Sequence, residues 1–323
     1  MANIVKKTLL WVSGGAMLAG LAWGLQVGGL AQAQNEADQG KSVRCANRLS
    51  IAFLGNAAAG DLAASQDPQS QVDKLLEDPV FIERFARYIN SQMNDAPGAT
   101  SVEDSAYHLS KYVVQNKKAW KDLFSGPYDV VATGTGAAAT VSVTDKADGL
   151  GYFRSKAWLE RYAGNELTGL KLTSAYRIPH NIVGLRLVAT TNAPGADVSA
   201  TGRAAAACKG CHFDGWYALD KTAQILSKVQ RQGQTITFLP PDGQAKQVLG
   251  DQMLKDDKEL VTALVSSDQF LVNSCRLAFG YLYGRNENAC EAEVFDACVD
   301  ALKSSGQMQA ALGAIAKDQS FCQ

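Results

Sequence analysis

The sequence predicts a mainly α-helical protein built of several segments, with a small irregular, β-containing segment in its middle. Three observations lead there. Apolar residues recur at helical spacing through 34–125 and again through 269–323, which places them on single helix faces. Alternating apolar and polar residues rich in valine and threonine gather only near 128–145. With 323 residues, 46% of them hydrophobic, the chain is long enough to bury a sizeable core.

From the N-terminal side, residues 34–125 carry the helical stretches RLSIAFLG, VDKLLEDP, FIERFARYINSQM and EDSAYHLSKYVVQN, punctuated by Pro68, Pro79 and Pro97. Asp78 followed by Pro79 reads as an N-cap and first helical position, with Phe85, Ile89 and Met93 on one stripe behind them. Between 126 and 200, YDVVATGTG and ATVSVTD alternate like two short strands joined through glycine. The rest of that segment is polar, aromatic and irregular. In 201–268, DKTAQILSKVQ reads as helix, TITFLPPDG as a short strand or turn, LGDQMLK as a loop, and DDKELVTALVSS as a helix opened by Asp256 and Glu259 at capping-box spacing. Residues 269–323 close the chain with three helices; Leu271, Cys275, Ala278 and Leu282 share one face, Val294, Cys298 and Leu302 another, and Gly306 suits a C-cap.

Residues 1–33 stand apart from this pattern. They contain no acidic residue, Lys6 and Lys7 form a basic start, residues 8–30 are apolar, and Ala31, Gln32 and Ala33 offer small residues for cleavage. This is the pattern of a signal peptide, weakened as a helix by its glycines; left uncut, residues 8–30 would serve as a membrane anchor. In either case the remainder is expected to be periplasmic or otherwise exported. The totals of 31 Lys and Arg against 32 Asp and Glu leave no basic field to attract a polyanion, which excludes a general nucleic-acid role.

Outside the cytoplasm, thiols tend to be oxidised or covalently occupied. Against that background, Cys208, Cys211 and His212 form C-x-x-C-H. Thiols three positions apart on one helical turn can add to the two vinyl groups of haem, and the adjacent imidazole then sits beneath the iron. A zinc half-site would need further paired Cys or His ligands, and no second C-x-x-C is present. A thioredoxin-like pair opens a helix after a strand, whereas Ala204 to Ala207 favour a helix running into this one. One covalently bound haem c, with His212 as proximal iron ligand, is the reading these residues favour.

Candidates for the opposite side of the iron are Met253, His180, Met93, His108 and Met308, or no protein ligand at all. Met93 and Met308 fall on apolar helical stripes and read as packing residues, and His108 as a surface histidine. Met253 is the favoured distal ligand because it precedes a capped helix in a non-periodic stretch, with His180 the next candidate. The order of haem motif, helix, methionine and capped helix is similar to that of small class I cytochromes c, a resemblance that implies a cytochrome c-like haem domain over 201–268. Trp216 and Tyr217 are candidates for packing on the porphyrin edge, or for core filling. Of the cysteines outside the motif, 45, 275, 290, 298 and 322, two disulfides and one unpaired thiol are expected, with Cys275 and Cys298 also readable as small buried residues.

Several stretches together resemble the planctomycete-type cytochrome c domain proteins. CKGCHFDGWYALD is similar to that family's haem-motif run, in which Tyr217 to Asp220 occupy an F-A-L-E stretch, although Asp214, Gly215 and Trp216 depart from its D-P-x-G. RLSIAFLG, LLEDPVFIERFARY, LYGR and AIAKDQSF resemble further family segments. The resemblance implies an exported, mainly helical, haem-bearing protein and carries over only Cys208, Cys211 and His212. The function expected is electron transfer to a redox partner protein, with membrane contact only through a retained N-terminal segment. The alternatives are a haem enzyme with an open distal site, in which His180 with Arg177 or Arg186 polarises a bound ligand, and a haem-bearing subunit of a larger redox complex.

Overall fold

The computed structural model describes residues 22–98, 101–134, 139–163, 172–188, 195–233 and 235–323. The described residues are mainly helical, and every sheet among them is a two-stranded hairpin, so the mainly α expectation holds. In chain order α1 covers Ala22–Leu54, α2 Gly60–Ala64, α3 Val72–Glu77, α4 Pro79–Met93, α5 Ser105–Gln115 and α6 Asp122–Ser125. Hairpin β1 (Tyr128–Thr133) and β2 (Thr140–Asp145) follows, then α7 (Lys156–Trp158) and α8 (Leu172–Val183). Two short turns, α9 (Ala200–Arg203) and α10 (Ala206–Lys209), lead to α11 (Leu219–Ile225). Hairpins β3 (Lys228–Gln232) with β4 (Thr235–Leu239) and β5 (Lys246–Val248) with β6 (Gln252–Leu254) precede α12 (Asp257–Val265), α13 (Asp268–Tyr283), α14 (Ala292–Ser305) and α15 (Met308–Lys317).

Asp78 caps α4 as its sequence implies: the carboxylate accepts the Val80 N–H at 2.8 Å, with Pro79 at the first helical position. The buried face of α4 then supplies Phe81, Phe85, Ile89 and Met93 to an aromatic centre with Phe53, Trp120 and Tyr281. Each such side chain contributes about 1.5–3 kcal/mol on burial. The last turn of α14 ends at Gly306, whose φ of 71° provides the left-handed C-cap, and its carbonyl accepts the Trp120 N–H at 2.7 Å.

One cluster of buried residues runs from Cys45 to Phe321 and so joins helices early and late in the sequence. The disulfide Cys45–Cys322 spans 277 residues, and Arg48 donates to the carbonyl of Gln323 at 2.9 Å beside it. The second disulfide, Cys275–Cys298, pins α13 to α14. Cys290 is exposed and unpaired, so the expected two bridges and one leftover thiol are found. Cys275 and Cys298, readable from sequence as buried thiols, are both fully buried and bonded to each other.

Three segments differ from their sequence reading. The stretch 126–200 is not merely irregular, because α8 crosses it with Pro179 inside the helix and buries Ala175, Ile178 and Ile182. The helix over DKTAQILSKVQ stops at Ile225; Leu226 turns extended, the Ser227 hydroxyl donates to Asp257, and Lys228 begins β3. LGDQMLK is a hairpin rather than a loop, with Met253 opposite Gln247. The capping of α12 is real but modified: Asp256 accepts the Glu259 N–H at 2.7 Å, while Glu259 reaches back to the N–H of Lys255.

The N-terminal 21 residues, and with them most of the apolar stretch 8–30, lie outside the described residues. Among the described residues no helix is long and apolar enough to cross a membrane.

Candidate haem site

Cys208, Cys211 and His212 lie on α10 and the wide helical turn that continues it through Gly210–Asp214. Helical backbone is favoured here by the preceding alanines, and it stacks positions 208 and 211 on one side. The two thiols are not bonded to each other; Cys211 is exposed and Cys208 half-buried. Gly215 closes the turn, since a Cβ there would come within 2.5 Å of the Gly210 carbonyl oxygen. Beyond it the chain reverses at Ala218, a buried residue with φ of 36°, and enters α11.

That reversal brings Asp220 back to the motif. Its carboxylate, 3% exposed, accepts the Nδ1–H of His212 at 2.7 Å. With Nδ1 so engaged, the lone pair of Nε2 is left to a metal. Arg203 grips the same carboxylate in a fork, with Nε at 3.1 and 3.2 Å from its two oxygens and Nη2 at 2.9 Å from Oδ1. Its Nη1 is fixed by the Val198 carbonyl at 2.5 Å. The Tyr217 hydroxyl donates to Cys211 Sγ at 3.3 Å, and this bond, with some burial, holds the phenol above its usual pKa.

The surroundings have a property that a finished protein core lacks. From Ser199 to Tyr217 no residue is buried, although the polar clamp holds the segment in place. The Trp216 carbonyl accepts the N–H of Gly250 at 3.2 Å, so the β5–β6 hairpin docks beside the motif. Trp216 is 42% exposed, Met253 61% and Val198 60%, which leaves large apolar side chains uncovered on both sides of the motif. Among the described residues no group of three or more His, Cys, Asp or Glu is placed to hold a metal ion. Haem iron needs no such group, because the porphyrin nitrogens take its equatorial positions. Two unbonded thiols, an oriented imidazole and unburied apolar surface therefore fit a covalently attached porphyrin.

The other sequence candidates separate from this site or join it weakly. Met93 and Met308 are buried in the core, as their stripes imply. The ring of His108 has its Nε2 3.1 Å from the Ser101 carbonyl. His180 places Nδ1 2.7 Å from the Leu185 carbonyl and opens on a different cleft of about 520 Å³, lined also by Tyr88, Asn181, Arg186 and Glu287, none of them in the haem segment. Arg177 is committed to Asp95 and to the face of Tyr162. Met253 is on the adjoining hairpin and exposed. Sequence reasoning missed Asp220 and Arg203. The signals for Asp220 were an acidic residue eight positions after the histidine and its place in the F-A-L-E-like stretch, and nothing local joins such positions until the chain reverses.

Comparison with protein families, with curated proteins and with solved structures returned no match to this chain. The resemblance to planctomycete-type cytochromes therefore rests on the residues quoted for it.

Proposed function

We propose that this protein is an exported mono-haem c-type cytochrome that transfers electrons to a partner protein. The observation that carries the reading is the C-x-x-C-H turn with both thiols unbonded and His212 oriented by Asp220 so that Nε2 is available. Bound there, haem supplies a one-electron iron couple. Cys208 and Cys211 would hold the porphyrin through two thioethers, and His212 would be the proximal ligand. Trp216 and the β5–β6 hairpin would cover one edge, with Met253 the candidate distal ligand. Water kept from that edge would narrow the change in solvation between the two oxidation states.

A second reading, a haem enzyme with an open distal position, has one specific observation in its favour. Met253 is 61% exposed and nothing described holds its thioether in place. The N-terminal pattern supports export, and residues 8–30 support anchoring if uncut.

The test is expression in a host with cytochrome-maturation machinery. Covalent porphyrin in the intact-protein mass and a low-spin ferric spectrum with a sulfur-to-iron charge-transfer band are expected. Colourless protein without the added mass overturns the proposal. High-spin ferric protein that reacts rapidly with peroxide replaces electron transfer by the enzyme reading.

A further inference from the structure

We infer that Asp220, clamped by Arg203, is a positioning residue that sets the reduction potential of the haem iron through His212; the inference rests on the haem reading above. The geometry is direct. A carboxylate that is 3% exposed accepts the imidazole N–H at 2.7 Å, and no backbone carbonyl shares that proton among the described contacts. An ionised acceptor draws the proton toward itself and increases electron density at Nε2, which makes the histidine a stronger donor. A stronger donor stabilises ferric over ferrous iron and lowers the potential. A buried carboxylate would be costly alone, and Arg203 offsets that cost with a guanidinium whose side chain is only 15% exposed. The same fork takes part of the carboxylate's hydrogen-bonding capacity from His212, since Nε lies 3.2 Å from the very oxygen that the histidine uses. The two residues therefore act in opposite senses on one imidazole, and the ring plane is fixed by both.

The expected effects have opposite signs. Asp220→Asn keeps the shape but replaces the charged acceptor with a neutral one, and raises the potential by about tenfold in the reduction equilibrium constant, which is about 59 mV for one electron. Arg203→Gln gives the carboxylate more fully to His212 and lowers it. Asp220→Glu, which restores a charged acceptor, returns it toward the wild-type value. The control is Asp214→Asn, a carboxylate on the motif turn paired with Lys209 at 3.1 Å and not bonded to the histidine. It should leave the potential unchanged within twofold.

The experiment measures haem content, potentiometric titration and ferric EPR g-values on the covalently loaded full chain and each variant. Opposite potential shifts in Asp220→Asn and Arg203→Gln, with altered g-anisotropy, support the inference. Haem-loaded variants with wild-type potential and g-values overturn it while leaving the cytochrome reading intact, as does an equal shift in Asp214→Asn. A wild-type chain without haem overturns both. If Asp220→Asn does not load, the direction of the Arg203→Gln shift decides, and an upward or absent shift overturns the inference.

Discussion

Replacement of Asp104 by asparagine tests how the loop between α4 and α5 is held. Asp104 is 1% exposed, and its carboxylate accepts from the Asn90 amide at 2.8 Å, from the Gly98 N–H at 2.8 Å and from the Ser101 N–H at 3.0 Å. Burial by itself would raise its pKa. The donors, Asn90 first, outweigh burial and hold the carboxyl below the ordinary value of 3.8. Asp104→Asn removes the charge and turns an amide toward groups that already donate. Three bonds to an ionised acceptor at about 1.5 kcal/mol each put the loss at about 3–5 kcal/mol. The sign of the pH dependence follows from the depressed pKa: the stabilisation is complete above the unfolded value and disappears as pH falls through the folded one. Urea unfolding followed by circular dichroism, at neutral pH and again near pH 2.5, should therefore show a large gap between wild type and variant that shrinks in acid. A gap below about 1 kcal/mol at neutral pH, or one of the same size at both values, would refute the argument.

Three further outcomes are expected. Met253→Ala, at an exposed strand position, should change the unfolding free energy of the haem-free chain by no more than about 0.5 kcal/mol while abolishing the sulfur-to-iron band of the loaded ferric protein; a surviving band rejects Met253 as ligand. Asp257→Ala removes the carboxylate that Arg154 contacts at 2.6 Å with only 15% of its side chain exposed, leaving that guanidinium its bond to the Asp148 carbonyl, and should cost about 3 kcal/mol; a denaturation midpoint equal to wild type would contradict this. Removing the 277-residue link with Cys45→Ala and Cys322→Ala should cost up to about 5 kcal/mol by loop entropy, and a loss under about 1 kcal/mol would show that the reduced chain keeps its ends together.

The legible parts of the fold were those whose signals are local and repeated. Asp78 and Pro79 announce α4, Gly306 ends α14, and valine alternation marks β1 and β2. Helix α8 was hidden because Pro179 lacks an N–H and reads as a breaker, whereas the helix continues four residues past it. The β5–β6 hairpin has three-residue strands, too short for any period to register. At the site, Cys208, Cys211 and His212 were visible because their spacing is dictated by chemistry along one turn. Asp220 meets the histidine, and Arg203 meets Asp220, only through a chain reversal at Ala218, a non-glycine residue in left-handed backbone that no sequence pattern marks.

The bond between Cys45 and Cys322 has a consequence for biogenesis. Phe321 is fully buried and α15 packs on α3, so residues late in this sequence seal a core begun by its early helices. A chain interrupted in synthesis lacks that seal and stays open to proteases.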